Sequence, residues 1–378
     1  MKRFYIFLLL CPFILASCMK EMEEDWLKRY AEELKPAPPG GLFITNEGNF
    51  MYGNASLSYY NIDSDTVTND VFYKKNGLPL GDVLQSMVIR DTLAYLVVNN
   101  SGKIYVMNTN TFEYVGKITG FTSPRYMHFI NERKAYVTDL YAKRIWIVDP
   151  LGDYYHTSGV ANGCITGYID VENKESTFYQ HPTEQMVQYE DFVFTNCWSF
   201  DNKLLVIDTK TDQLVDYITT GKQPSGITID KYNKIWVICD GGYPDSPYGT
   251  EPPKLHRIDA KTRKVEKSWE FDVDQWPSEI CTNGTRDTIY WVNQDIYFMA
   301  VTEEKPRIII PGKNTIFYGL AVDPITSEVY VADAIDYIQS GIIYRYSSDF
   351  SPVDTFNVGI IPGAFCFKPK QLSSQNTD

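Results

Sequence analysis

From residue 41 onward, short apolar runs punctuated by turn residues recur along the chain in a fixed order. An apolar strand and a tight turn lead into a second apolar strand that ends in Asn or Asp. A loop, a third strand, another turn and a fourth strand follow. The clearest copy runs from Ser225 to Asp230, then Lys234 to Asp240, then, after a long loop, Lys254 to Asp259 and Val265 to Phe271. Runs this short, rich in Val, Ile, Tyr, Phe and Trp and bounded by Gly, Asn, Asp and Pro, read as strands rather than helices. The second strand recurs most regularly, as Leu42 to Asn46, Ala94 to Asn99, Ala135 to Asp139, Phe192 to Asn196, Ile235 to Asp240, Ile289 to Asn293 and Val329 to Asp333. Its terminal Asn or Asp residues fall 53, 40, 57, 44, 53 and 40 residues apart. A period of roughly 40–45 residues with four short strands is that of a β-propeller blade. The pattern predicts an all-β chain, a seven-bladed β-propeller of four-stranded antiparallel blades.

Closure is also predicted. The first copy opens at Leu42, already in the second-strand pattern, and so lacks an inner strand. Gly363 to Pro369 repeats the inner-strand pattern of Gly319 to Pro324, so the C-terminal strand is expected to complete blade 1. Closure removes the exposed sheet edges that invite aggregation. The propeller is expected over 42–370, with 371–378 as a flexible tail. Asp63, Asn108, Asp208 and Asp259 each begin a four-residue turn after a third strand and end it on Thr. Asp and Asn bond their own backbone two residues on. A calcium reading of these turns lacks the closing Glu.

The first residues read as an address. Lys2 and Arg3 precede the apolar stretch Phe4 to Leu15, which ends in Leu15-Ala16-Ser17-Cys18. That is a charged region followed by a hydrophobic one too short to span a membrane. Residues 1–17 are therefore expected to be a lipoprotein signal peptide, and Cys18 the lipidated residue. Residues 18–41 form an acidic tether ending in Pro36-Ala37-Pro38-Pro39-Gly40-Gly41, which breaks regular structure. The expected location is the outer membrane, held by the lipid anchor and facing the cell exterior.

The chain carries 35 Lys+Arg against 48 Asp+Glu, a net charge of −13, with no basic block. That excludes a nucleic-acid partner, because phosphate contacts need clustered cations. Of seven Cys, Cys164, Cys197, Cys239, Cys281 and Cys366 remain after the signal and Cys18. There is no CxxC and no Cys/His zinc spacing, so no metal site is expected.

In a propeller, the loops from second to third strands and those between blades emerge on one face. Here they carry many aromatics and amides. Candidate ligand contacts are Asn49, Phe50, Asn99, Tyr126, Asp139, Tyr141, Trp198, Tyr243, Trp276, Asn293, Tyr318 and Asp333. Rings give flat area at low entropy cost, and amides both donate and accept. The strand-end Asn and Asp residues read equally as caps and as contacts. Catalysis is not expected. The four His are scattered, and only His181 lies on a joining loop. Glu184 and Asp240 are loop carboxylates, but no spacing marks them as an acid–base pair.

Residues 42–370 resemble the YncE-like seven-bladed propeller lipoproteins of Gram-negative gut anaerobes. The motifs that carry the resemblance are Asn46-Glu47-Gly48-Asn49, Ala55 to Tyr60, Pro224 to Ile227 and Trp236-Val237. Among such proteins the BtuG-type members capture vitamin B12 and related corrinoids and pass them to a TonB-dependent outer-membrane transporter. The resemblance implies a corrinoid as transported ligand, with no cofactor, and that transporter as partner. Two other functions fit the same loops: a glycan- or peptide-capturing accessory to another transporter, and a lyase or hydrolase using His181 and Glu184.

Overall fold

The computed structural model describes residues 40–154, 163–176, 179–244 and 247–368. The signal peptide, Cys18, nearly all of the tether, His156 and the tail at 371–378 lie outside them. Seven four-stranded sheets make up the fold, each with its strands in simple antiparallel succession from the channel outward. The inner strands are Leu84–Arg90, Pro124–Asn131, Thr183–Tyr189, Pro224–Ile229, Ser278–Thr282, Phe317–Val322 and Pro362–Lys368. Each lies against the next around the ring, and Pro362–Lys368 closes it between Phe317–Val322 and Leu84–Arg90. Pro362–Lys368 also pairs antiparallel with Gly41–Asn46, so the C-terminal strand completes blade 1 as the repeat predicts.

The second strands explain why the repeat is so visible. Gly41–Asn46 and Val329–Asp333 are buried at every position, and the other five almost so. A strand covered on both faces carries a continuous apolar run rather than an alternating one. Its two faces serve different interfaces. Ala94, Leu96 and Val98 point into a cluster shared with blade 1, while Tyr95 and Val97 point into one shared with blade 3. Seven such clusters occur among the described residues, one at each blade-to-blade contact. Fourth strands face water and are the most exposed of each blade, as in Lys264–Glu270.

Three of the four predicted turn heads act as expected. Asn108, Asp208 and Asp259 accept from the backbone two or three residues on. In blade 1 the acceptor is Asn61, two residues before Asp63. The pattern does not foresee a short helix, Val71–Asn76, which buries Val71 and Phe72 between blades 1 and 2 and stops at Gly77 in the left-handed region. Among the described residues no helix is long and apolar enough to cross a membrane. Among the described residues Cys197, Cys239, Cys281 and Cys366 are free thiols.

Blade 7 is also locked to blade 1 by charge. Arg345, 8% exposed, donates to Glu328 on its own blade and to Asp65 and the Tyr60 hydroxyl of blade 1. Removing one partner of a buried pair leaves the others unpaired, at a cost of about 3–5 kcal/mol. Arg345→Met is therefore expected to lower unfolding free energy by roughly 3 kcal/mol, measured by denaturant titration; a loss within error would show the clamp to be idle. Deleting residues 362–378 is expected to abolish the single cooperative transition and to yield oligomers by size exclusion, because it opens blade 1 to edge pairing.

Candidate functional site

At the start of every inner strand the register with its second strand slips. The unpaired residues are Gln85, Arg125-Tyr126, Glu184-Gln185, Ser225, Glu279, Tyr318 and Gly363-Ala364. A bulge frees one residue from the ladder and re-aims its side chain. Here all seven blades aim theirs at one point. The same residues, with Glu47, Trp198, Asp240 and Ser278, line a cavity of about 240 Å³ at the mouth of the central channel.

The mouth holds three glutamates and one cation. Arg125 Nε lies 2.8 Å from the Glu184 carboxylate, and Arg125 Nη1 donates to Gln85 Oε1. Tyr318 donates to Glu47 Oε1 at 3.1 Å. Trp198 Nε1 donates to Asp240 Oδ2 at 3.2 Å. The Glu279 carboxyl has no hydrogen-bond or ion-pair partner among the described residues, and its backbone is left-handed with φ 42°. Burial raises the Glu47 carboxyl to about 7, against the opposing pull of Arg125. Burial, with Glu47 and Glu184 as like-charged neighbours, pushes Glu279 up to about 8. Burial also raises Glu184, although Arg125 opposes it. Near neutrality the mouth therefore presents carboxyls that both donate and accept hydrogen bonds.

The predicted site residues separate into three groups. Tyr126, Trp198 and Tyr318 line the mouth. Phe50, Tyr141, Tyr243 and Trp276 are exposed around it on the same face. Tyr141 and Phe200 line a smaller cleft between blades 3 and 4, and the Tyr243 and Tyr248 rings pack on Phe200. Trp276 borders a wider depression of about 490 Å³ between blades 6 and 7. The rim is itself fixed: Asn49 Nδ2 donates to the Tyr337 carbonyl at 2.7 Å, tying blade 1 to blade 7 beside Phe50.

The strand-end residues are inside. Asn99 donates to Ser123 Oγ and the Pro124 carbonyl, tying blade 2 to blade 3. Asp139 accepts from the backbone of Thr122, Ser123 and Ala142 and from Trp146 Nε1. Asp333 accepts from the backbone of Ile316 and Ile335. Their capping role is thus realised. Asn293 differs: it is 2% exposed, and neither of its amide atoms has a hydrogen-bond partner among the described residues.

Sequence reading does not single out Gln85, Arg125, Glu279 or Glu47, and it offers Glu184 only as half of an unmarked pair. The available signal is faint. In every blade the bulge begins directly after the first residue of the inner strand, as in Pro124-Arg125, Thr183-Glu184 and Ser278-Glu279.

A family model described as "Domain of unknown function (DUF5074)" matches residues 40–358. No curated protein matches the sequence. Solved structures share the fold. A quinonprotein alcohol dehydrogenase-like protein from Bacteroides thetaiotaomicron aligns with a TM-score of 0.61 at 14% identity, over 87% of this chain and 78% of that one. Hydrazine synthase of Kuenenia stuttgartiensis aligns at 0.58 and 12% identity, over 74% and 88%. The apo form of AztD from Citrobacter koseri aligns at 0.53 and 11% identity, over 87% and 98%.

Folded Glu279 keeps its proton up to about pH 8, whereas the unfolded chain loses it near the ordinary value of 4.5. The folded state binds more protons between those limits, so this group's contribution to stability falls as pH rises through that window. Glu279→Gln is expected to be more stable than the parent at pH 8.5, by about 1–2 kcal/mol after allowance for partial exposure, and equally stable at pH 4. Calorimetry at both pH values measures this. A parent curve insensitive to pH, with no gain in the variant, counts against the raised Glu279 carboxyl.

Proposed function

The chain belongs to the DUF5074 family, and we propose that it is a non-catalytic capture protein that binds a corrinoid over the channel mouth. The carrying observation is convergence: seven bulges and the aromatic rim meet on one face, over one cavity. A corrin is broad, partly apolar and edged with amides. Trp198, Trp276, Tyr243 and Phe50 supply flat apolar area for such a body. Glu47 and Glu279, protonated near neutral pH, donate to amide carbonyls and accept from amide N–H groups. Loops held on a rigid scaffold suit capture without reorganisation. The lipid-anchored tether from Cys18 holds this face outside the outer membrane, and a TonB-dependent transporter receives the ligand.

Titration of the protein with cyanocobalamin is expected to give tight one-to-one binding by calorimetry and a shift of the corrin absorption bands. Trp198→Ala at the mouth and Trp276→Ala on the rim should each weaken it about tenfold or more, as aromatic anchors do. Neither heat nor spectral shift at micromolar concentration rejects the corrinoid. Binding of an oligosaccharide or peptide instead keeps capture and changes the ligand class.

A further inference from the structure

Beside the mouth, at the rim of blade 4, three side chains of different chemistry meet. One donor atom each from His181, Cys197 and Asp201 lies within 4.8 Å of the others. His181 Nδ1 and Asp201 Oδ2 are 2.6 Å apart. We propose that these residues form a binding site for a zinc-class divalent transition ion, independent of corrinoid capture.

The donor set selects the ion. Nitrogen, sulfur and carboxylate oxygen together suit zinc, which tolerates all three, whereas calcium and magnesium ask for oxygen alone. Three protein donors leave a fourth tetrahedral position for water or for a ligand atom. The chain is folded to bring the donors together. Cys197 ends a second strand, His181 precedes the inner strand of the same blade, and Asp201 returns to them over a four-residue step. That return uses two successive left-handed residues, Ser199 at φ 60° and Phe200 at φ 65°. Non-glycine residues adopt this conformation at a cost and concentrate where function requires it. Cys197 is fully buried and His181 is 9% exposed, so the donors are shielded from competing water.

An ion about 2.1 Å from nitrogen and oxygen holds them ~3.4 Å apart. Loading therefore opens the His181–Asp201 pair by less than about an ångström. As the metal–sulfur bond forms, the Cys197 thiol proton leaves to solvent. Sequence spacing gives no hint of this site, because the donors come from a joining loop, a strand end and a hairpin loop rather than from a CxxC or HxxxH run.

Cobalt(II) is the probe, added to the reduced full chain. The expected result is one ion per chain, with a thiolate-to-cobalt charge-transfer band and intense tetrahedral visible bands, both displaced by zinc. Cys197→Ser should abolish the charge-transfer band, and His181→Gln should weaken binding at least about tenfold. Circular dichroism checks each variant's fold. Should Cys197→Ser not fold, the parent's spectrum and its loss in His181→Gln decide the matter. A folded, reduced parent without the charge-transfer band overturns the site, as does a band that survives Cys197→Ser. Either result leaves the trio as a packing contact and says nothing against corrinoid capture.

Discussion

Two-sided burial of the second strand is the constraint on which the rest depends. Such a strand has no face to give to water, so each blade needs a neighbour on both sides. Trp236, Trp291, Tyr95, Tyr136 and Tyr330 on these strands are essentially fully buried. Each contributes about 2–3 kcal/mol by leaving water. An open row of blades would expose two such faces at its ends. The ring satisfies all seven alike, and the Arg345 clamp adds a charged lock between its last and first members.

Circular closure then creates the site. Inner strands pack side by side around the central channel. At the mouth, each blade inserts bulged residues, and the polar ones among them find space there that the blade interior lacks. Four carboxyls and one guanidinium meet because blades distant in sequence have equivalent geometry. Their elevated proton affinity is a consequence of crowding and burial together.

Much of the fold was legible in the sequence because it rests on repetition. Continuous apolar runs reported double burial, Asx turns reported hairpin ends, and Gly363 to Lys368 reported closure by likeness to Gly319 to Val322. The site was legible only in part. Rim aromatics such as Trp198 and Trp276 stood out among turn residues. Arg125, Glu184 and Glu279 did not, because a bulge displaces one residue without altering the period around it. Asn99, Asp139 and Asp333 carried the same signal whether they faced a ligand or a joining loop, and only three-dimensional partners distinguish the two. The Val71–Asn76 helix carries too little of a repeat to be read.

The sharing of blade 1 between both ends of the chain sets an order on assembly. Six blades can be built as their residues leave the ribosome, each on the one before. The first sheet waits with a raw inner edge until residues 362–368 arrive. Until then Leu42, Phe43 and Ile44 have no inner partner, and every intermediate on the route is an unfinished arc with adhesive ends. A chaperone that holds such arcs apart during folding therefore has a defined substrate. It is the nascent first strand, shielded until the last one reaches it.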